Sequence, residues 1–123
     1  MAKIFLDTNV FIDYIEQRKP IDMEVFEGHE ILISPLSVHI LIYVRKHKIP
    51  HTKLNQLIEN FSLISFNVLI SQKSLQGPTK DFEDNVQLHS AAEAECDYFL
   101  TSDKKLLSMK FFGRTKIDSQ MAS

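Results

Sequence analysis

Short runs of consecutive apolar residues alternate along this chain with longer stretches whose apolar positions recur every three to four residues. The first kind of run reads as buried strand and the second as helix. Their alternation predicts a parallel sheet with helices packed on its faces. Lys3–Leu6 is the first such strand, and residues 8–17 follow as a helix with Val10, Ile12, Tyr14 and Ile15 on its apolar side. Pro20 opens a second, short helix towards Phe26, and Gly28 closes it. Glu30–Ile33 is the next strand, after which Ser34-Pro35 turns into a helix running through Arg45, proline being tolerated in a first helical turn. Residues 52–60 read as a helix with Leu54, Leu57, Ile58 and Phe61 on one side, residues 63–66 as a short strand and residues 68–75 as a short helix. Gly77-Pro78 marks a loop. Residues 82–95 form the strongest helical pattern, followed by a strand at 97–101, a last helix at 104–110 and an edge strand at 115–117.

Composition narrows this to one domain over residues 1–123. A chain of 123 residues that is 44% hydrophobic supplies one core and leaves no room for a second. Its charged fraction of 24% argues against disorder. A lone cysteine, Cys96, excludes an internal disulfide and suits a reducing cytoplasm, the compartment expected for this protein. Within the run from Ala91 to Leu100 it reads as a packing residue rather than a nucleophile. No apolar run approaches the roughly 20 residues of a membrane span, and the first residues carry a strand pattern in place of a signal peptide. The formal net charge of −2 does not advertise nucleic-acid binding. Only Arg45, Lys46, His47 and Lys48 make a clearly basic cluster.

The acids carry more information than the total charge. Asp7 follows the strand Ile4-Phe5-Leu6 directly, and Asp103 lies just past the strand Tyr98-Phe99-Leu100, in Thr101-Ser102-Asp103. Ligands of open parallel sheets bind outside the carboxyl ends of the strands, near a switch in strand order. Two acids delivered to that edge by different strands therefore approach each other, which is costly unless a proton or a cation sits between them. Asp81, Glu83 and Asp84 precede and open the long helix. Asp84 lies one turn before Leu88 and two turns before Ala91 and Ala92, which places it on the inward face. For Asp81 and Glu83, capping and the first-turn dipole are the plainer explanation; for Asp84, a cap and a site role are equally open. Oxygen-only ligands favour a hard cation, Mg²⁺ or Mn²⁺, and no paired Cys or His has zinc spacing. The histidines, at 29, 39, 47, 51 and 89, are scattered.

Two stretches together resemble the PIN-domain family, best known as the VapC-like toxin ribonuclease of VapBC-type toxin–antitoxin pairs. One is Ile4-Phe5-Leu6-Asp7-Thr8-Asn9-Val10-Phe11-Ile12-Asp13. The other is Asp81-Phe82-Glu83-Asp84, continuing through Ala91-Ala92-Glu93-Ala94 to Asp97-Tyr98-Phe99-Leu100-Thr101-Ser102-Asp103-Lys104. The resemblance implies a three-layer α/β/α PIN-like fold with a central, mostly parallel sheet of four to five strands. It also implies a metal-dependent endoribonuclease using Mg²⁺ or Mn²⁺ to hydrolyse RNA phosphodiester bonds. Asp7 looks like the first metal ligand, Asp84 the third acid and Asp103 the last. Asn9 looks like the amide that holds the site through hydrogen bonds, and Thr101 the hydroxyl beside the last acid. The plainer alternatives are a helix start for Thr8 and Asn9, and a cap of the next helix for Thr101 and Ser102.

One family acid is missing. A helix after the second strand usually carries a glutamate facing the site, and in Ser34-Pro35-Leu36-Ser37-Val38-His39-Ile40-Leu41 that position falls on Ile40. His39 is adjacent, but a one-residue offset turns it about 100° round the helix. Asp81, one turn from Asp84, is the candidate to fill the vacancy as a metal ligand. The gap keeps a second reading open, a catalytically weakened PIN-like module that binds nucleic acid or protein. A third, a phosphoacceptor receiver domain, expects paired acids after the first strand and a lysine after a late one, and Asp7 alone with Asp103 in the late position fits it poorly. The expected partners are RNA, steered by Lys46, Lys48, Lys104, Lys105, Lys110 and Arg114, a small antitoxin protein and a second copy of the chain. Tyr14, Phe26, Leu41, Tyr43 and Phe61 are the candidates for an apolar contact surface.

Overall fold

The computed structural model describes residues 1–16 and 26–120. The short helix read from Pro20 towards Phe26 falls on residues 17–25 and lies outside the described residues. The elements are β1 (Lys3–Leu6), α1 (Thr8–Glu16), β2 (Glu30–Ile33), α2 (Pro35–Arg45), α3 (Thr52–Ile58), β3 (Ser62–Leu63), α4 (Val68–Ser74), α5 (Phe82–Glu93), β4 (Tyr98–Leu100), α6 (Lys104–Leu107), β5 (Phe111–Phe112) and β6 (Thr115–Asp118). The strands form one sheet in the order β3-β2-β1-β4-β6-β5. Every pairing in it is parallel except the β5–β6 hairpin.

Alternation along the strands sorts the core into two halves. Ile4 and Leu6, Ile31 and Ile33, and Leu100 face one side, where they meet Phe11, Ile12, Leu41 and Leu54 of α1, α2 and α3. Phe5, Leu32 and Phe99 face the other side and meet Leu88, Ala91 and Leu106 of α5 and α6. The Phe5 and Phe99 rings stack on adjacent strands at 5.5 Å. Both faces are therefore covered, which is why these strands read as continuous apolar runs. Cys96 is fully buried in the second half-core, and burial pushes its thiol up to about 12, so it stays protonated and unreactive.

The sheet has six strands where the sequence suggested four to five, and the difference is local. The last helix was expected to continue to residue 110, but Lys110 adopts φ 65 and the chain turns into the two-residue strand β5. Gly113, at φ 60, supplies the left-handed position that a two-residue hairpin connection demands. Residues 115–117 are consequently not an edge strand: β6 lies between β4 and β5. Similarly, α5 stops at Glu93 rather than at residue 95. Glu95 takes φ 56 and donates to the Ala92 carbonyl while Cys96 donates to that of Ala91, the paired bonds that end a helix and aim the next strand. The strand expected at 63–66 is only Ser62–Leu63, because Asn67 already caps α4.

The placement of β6 has a measurable consequence. Ile117→Val removes one methylene from a side chain that is 4% exposed and costs about 1 kcal/mol, whereas Phe111→Ala, on the half-exposed edge, costs less than about 1 kcal/mol despite the larger truncation. Urea unfolding of the two variants checks the order.

Candidate metal centre

Strand order reverses between β1 and β4, with β2 and β3 on one side and β6 and β5 on the other. This is the switch point at which a crevice opens beyond the strand ends, and both strands end there in candidate site residues. Asp7, directly after β1, is 4% exposed. Its backbone N–H donates to the Leu100 carbonyl at 2.9 Å, locking the two strand ends together. Thr101, directly after β4, donates its hydroxyl to Asp7 Oδ2 at 2.7 Å, and Thr101 Oγ1 in turn accepts the Asp103 N–H at 3.0 Å. One buried hydroxyl thus holds the first acid and the turn that carries the last.

Asp103 caps α6, with Oδ1 accepting from the Lys105 N–H at 2.8 Å. Asp81 caps α5 in the same way, accepting from the Asp84 N–H at 3.0 Å. Capping and a place at the site are not exclusive here. Asp81, Asp84 and Asp103 line one cavity of about 410 Å³ together with Thr79, Lys80 and Lys105. Asp7 is not on its lining but is close enough to repel both Asp84 and Asp103.

The electrostatics follow from packing these acids together. Burial, and then repulsion from Asp81, Asp7, Asp103 and Glu83, pushes the Asp84 carboxyl up to about 7. Burial also raises Asp7, opposed by the hydrogen bond from Thr101 and reinforced by Asp103. Glu83 is raised by burial and by Asp7 and Asp81, with Thr8 pulling the other way. Among the described residues, ion pairs join Arg45 to Glu16, Lys73 to Glu93, Arg114 to Asp97 and Lys116 to Asp118, and none reaches these acids. Carboxylates that repel one another without a cationic partner, presenting only oxygen donors, suit a hard divalent cation. Asp7, Asp84, Asp103 and Asp81 are the sequence candidates for its ligands, and the structure gathers Asp81, Asp84 and Asp103 on one cavity wall. Among the described residues, no group of three or more His, Cys, Asp or Glu side chains stands close enough together to hold a metal ion.

The remaining sequence candidates fall differently. Asn9, the amide expected to hold the site, is exposed, and it is its neighbour Thr8, 2% exposed, that makes buried polar contacts here. The Thr8 N–H donates to Gln87 Oε1 at 2.7 Å and its hydroxyl pairs with Ser37 of α2 at 2.8 Å. His39 is exposed and stacks on Tyr43, and Ile40 packs against the first half-core, so neither stands in for the missing glutamate. Two buried amides on α5 escaped the sequence reading. Gln87 grips the chain just past Asp7. Asn85 accepts from Thr79 N–H and Oγ1 and donates to the Ser74 and Thr79 carbonyls, pinning the loop that carries Asp81. The signal available was an amide at positions flanked by Val86, Leu88 and Ala91, where only a satisfied polar group is tolerated.

A scan against protein-family models matches the PIN domain over residues 3–105. The chain belongs to the PIN-domain family. PIN domains are generally nucleases and typically use divalent metal ions, so the match and the carboxylate cavity at the switch point agree on hydrolytic chemistry. A search of curated proteins returned no match. A larger cleft on this PIN domain, of about 560 Å³, lies between α2 and α3 and is lined by Pro35, Val38, Ile42, Pro50, Leu54 and Ile58. It holds no acid and is remote from the chemistry despite its size.

Proposed function

We propose that this PIN-domain protein is a metal-dependent endoribonuclease and the toxin of a toxin–antitoxin pair. The observation that supports this reading best is the set of acids at one strand-end cavity, Asp81, Asp84 and Asp103, with Asp7 close enough to repel Asp84 and no ion pair among the described residues joining them to a cation. Asp7, Asp84, Asp103 and Asp81 would hold Mg²⁺ or Mn²⁺. A hard divalent ion, when bound, polarises a phosphodiester and lowers the pKa of an attacking water. Thr101 fixes the rotation of the Asp7 carboxylate, and the bond from the Asp103 N–H keeps the last acid in register with it. Lys80 and Lys105 border the same cavity and offer positive charge to a phosphate backbone that the acids alone would repel. Of the basic residues expected to steer RNA, Lys105 is the one beside the acids, while Arg114 is engaged with Asp97 at 3.0 Å.

The partners in this proposal are single-stranded or looped RNA, a small antitoxin protein and a second copy of the chain in a homodimer, acting in the cytoplasm. No helix among the described residues is long and apolar enough to cross a membrane. Of the apolar residues considered for a contact surface, Leu41 is fully buried and Tyr14, Phe26 and Phe61 pack on one another, leaving Tyr43 exposed at 76%. Light scattering after size exclusion tests the dimer.

The direct test is cleavage of labelled RNA and DNA oligonucleotides with Mg²⁺, with Mn²⁺ and with a chelator. RNA cut in either metal, intact DNA and no cleavage after chelation are the expected results; RNA cleavage that survives the chelator would overturn the mechanism. A second reading is favoured by one observation, the apolar Ile40 where an acid is usual: a PIN-like module that binds RNA or protein without cleaving it. Calorimetry with Mn²⁺ separates the two, since the binding module has no need of the ion.

A further inference from the structure

Pro35, Val38 and Ile42 recur at helical spacing along α2, and Leu54 and Ile58 along α3. These two apolar stripes wall the cleft of about 560 Å³ between the helices, yet of the five side chains only Leu54 is buried. Ile49, in the connection between the helices, and Leu63 of β3 complete the lining at 69% and 51% exposure. A single exposed apolar residue needs no explanation, but a lined cleft of them marks a binding face. The charge around it is one-sided. Residues 31–58, which build α2 and α3, hold Arg45, Lys46, Lys48 and Lys53 and no Asp or Glu. That stretch is formally +4 in a chain of net charge −2, which leaves −6 on the remainder. Arg45 is paired with Glu16 at 2.7 Å. Lys46, Lys48 and Lys53 are exposed, and no ion pair among the described residues engages them. Lys48 directly precedes Ile49 and Lys53 directly precedes Leu54, so uncompensated cations flank the apolar lining.

We propose that the cleft between α2 and α3 is the docking site for an acidic amphipathic helix of a partner protein. A groove between two helices admits the apolar stripe of a third, and the residues that wall it set the anchors such a stripe meets. Acids on the polar face of that helix then lie against Lys46, Lys48 and Lys53, which steer the encounter and select its sign of charge. A second copy of this chain fits poorly, because a twofold contact through this face sets the same lysines against one another. RNA is drawn by the lysines, but its phosphate backbone finds only apolar side chains at Val38, Ile42, Ile49 and Leu63. The cleft shares no residue with the acidic cavity, so the inference goes beyond the nuclease reading and stands whether or not those acids bind a metal.

Three probes titrated by fluorescence anisotropy against the full-length protein test this. The first is a labelled peptide of about 15 residues with leucines at i, i+3, i+4 and i+7 spacing among glutamates. The second carries lysine in place of each glutamate, and the third is a single-stranded oligoribonucleotide. The acidic peptide is expected to bind, and the lysine peptide to bind about tenfold more weakly or worse. Ile49→Glu and Leu63→Glu, at exposed rim positions where the melting temperature stays near wild type, each weaken the acidic peptide about tenfold or more. Lys48→Glu combined with Lys53→Glu weakens it several-fold at low salt and less at high salt. Lys105→Glu, the same change of charge outside the cleft, leaves it near wild type. No binding of the acidic peptide at millimolar protein, equal binding of the two peptides, or wild-type affinity in both rim variants overturns the proposal. So does an oligoribonucleotide that loses affinity in the Lys48→Glu, Lys53→Glu variant while the peptide does not, which assigns the lysines to RNA. Should one rim variant fail to fold, the other, on a different element, decides.

Discussion

On the proposed mechanism, Asp7→Asn is expected to cleave RNA on the order of 10²- to 10³-fold more slowly than wild type, yet to melt at a higher temperature in metal-free buffer. Asp7 is 4% exposed and carries a carboxyl raised by burial and by repulsion from Asp103. An asparagine keeps its size and still offers an oxygen to the Thr101 hydroxyl, now at 2.7 Å from Asp7 Oδ2. What it removes is a buried charge that no ion pair among the described residues balances. Relief of that charge is worth about 1 kcal/mol, or roughly 3–5 °C in Tm for a domain of this size. The opposite signs of the two effects make the test specific. A structural aspartate, replaced, lowers both activity and stability; a ligand held in readiness lowers one and raises the other. Single-turnover cleavage with Mn²⁺ and thermal melts in chelator give the two numbers. Unchanged cleavage, or a lower melting temperature with correspondingly reduced activity, would remove Asp7 from the chemistry.

Much of this fold was legible because its strands are buried on both faces. Ile4-Phe5-Leu6 and Tyr98-Phe99-Leu100 announce themselves as apolar runs, and an acid or a Thr-Ser-Asp turn immediately after each gives the end at which chemistry gathers. The β5–β6 hairpin was not legible, since a two-residue strand has no period and Gly113-Arg114 is a weak turn signal beside Asn-Gly. The inner side of the site was hidden for a different reason. α5 is buried almost all round, at Asn85, Val86, Gln87, Leu88, Ser90 and Ala91, so no hydrophobic stripe tells which polar residue turns to which neighbour. Gln87 looks like a surface residue until the Thr8 N–H is placed against it. Asn9 erred in the other direction. Polar and next to Asp7 in sequence, it is one position too far round α1, and Thr8 occupies the place that touches the site.

Stability in the absence of metal is expected to fall as pH rises from about 4 to about 7, and excess Mn²⁺ to invert that slope. The group that sets the window is Asp84. Its carboxyl stands near 7 in the folded protein, pushed there by burial and by Asp81, Asp7, Asp103 and Glu83, against an ordinary value of 3.8. Between those values the native state binds more protons than the unfolded chain, so the derivative of unfolding free energy with pH is negative. Protonation at the acid end favours the fold, and the advantage is lost as pH rises through about 7. Asp7 and Glu83, also raised, act with the same sign. Lys80 and Lys105 on the cavity wall oppose it, and the cavity is open to water. Screening therefore reduces the effect to on the order of 1–2 kcal/mol. A bound cation needs the same carboxylates ionised, and at a hundredfold excess over its Kd stabilises by about 2.7 kcal/mol, an increment that grows with pH because protons compete for the ligands. Asp84→Asn flattens the metal-free profile and, lacking one ligand, weakens the metal-dependent one. Melting curves across this pH range, in chelator and in Mn²⁺, decide the matter: two parallel profiles would mean that the acids titrate independently of any ion, and a rising metal-free profile would mean that they are not crowded together at all.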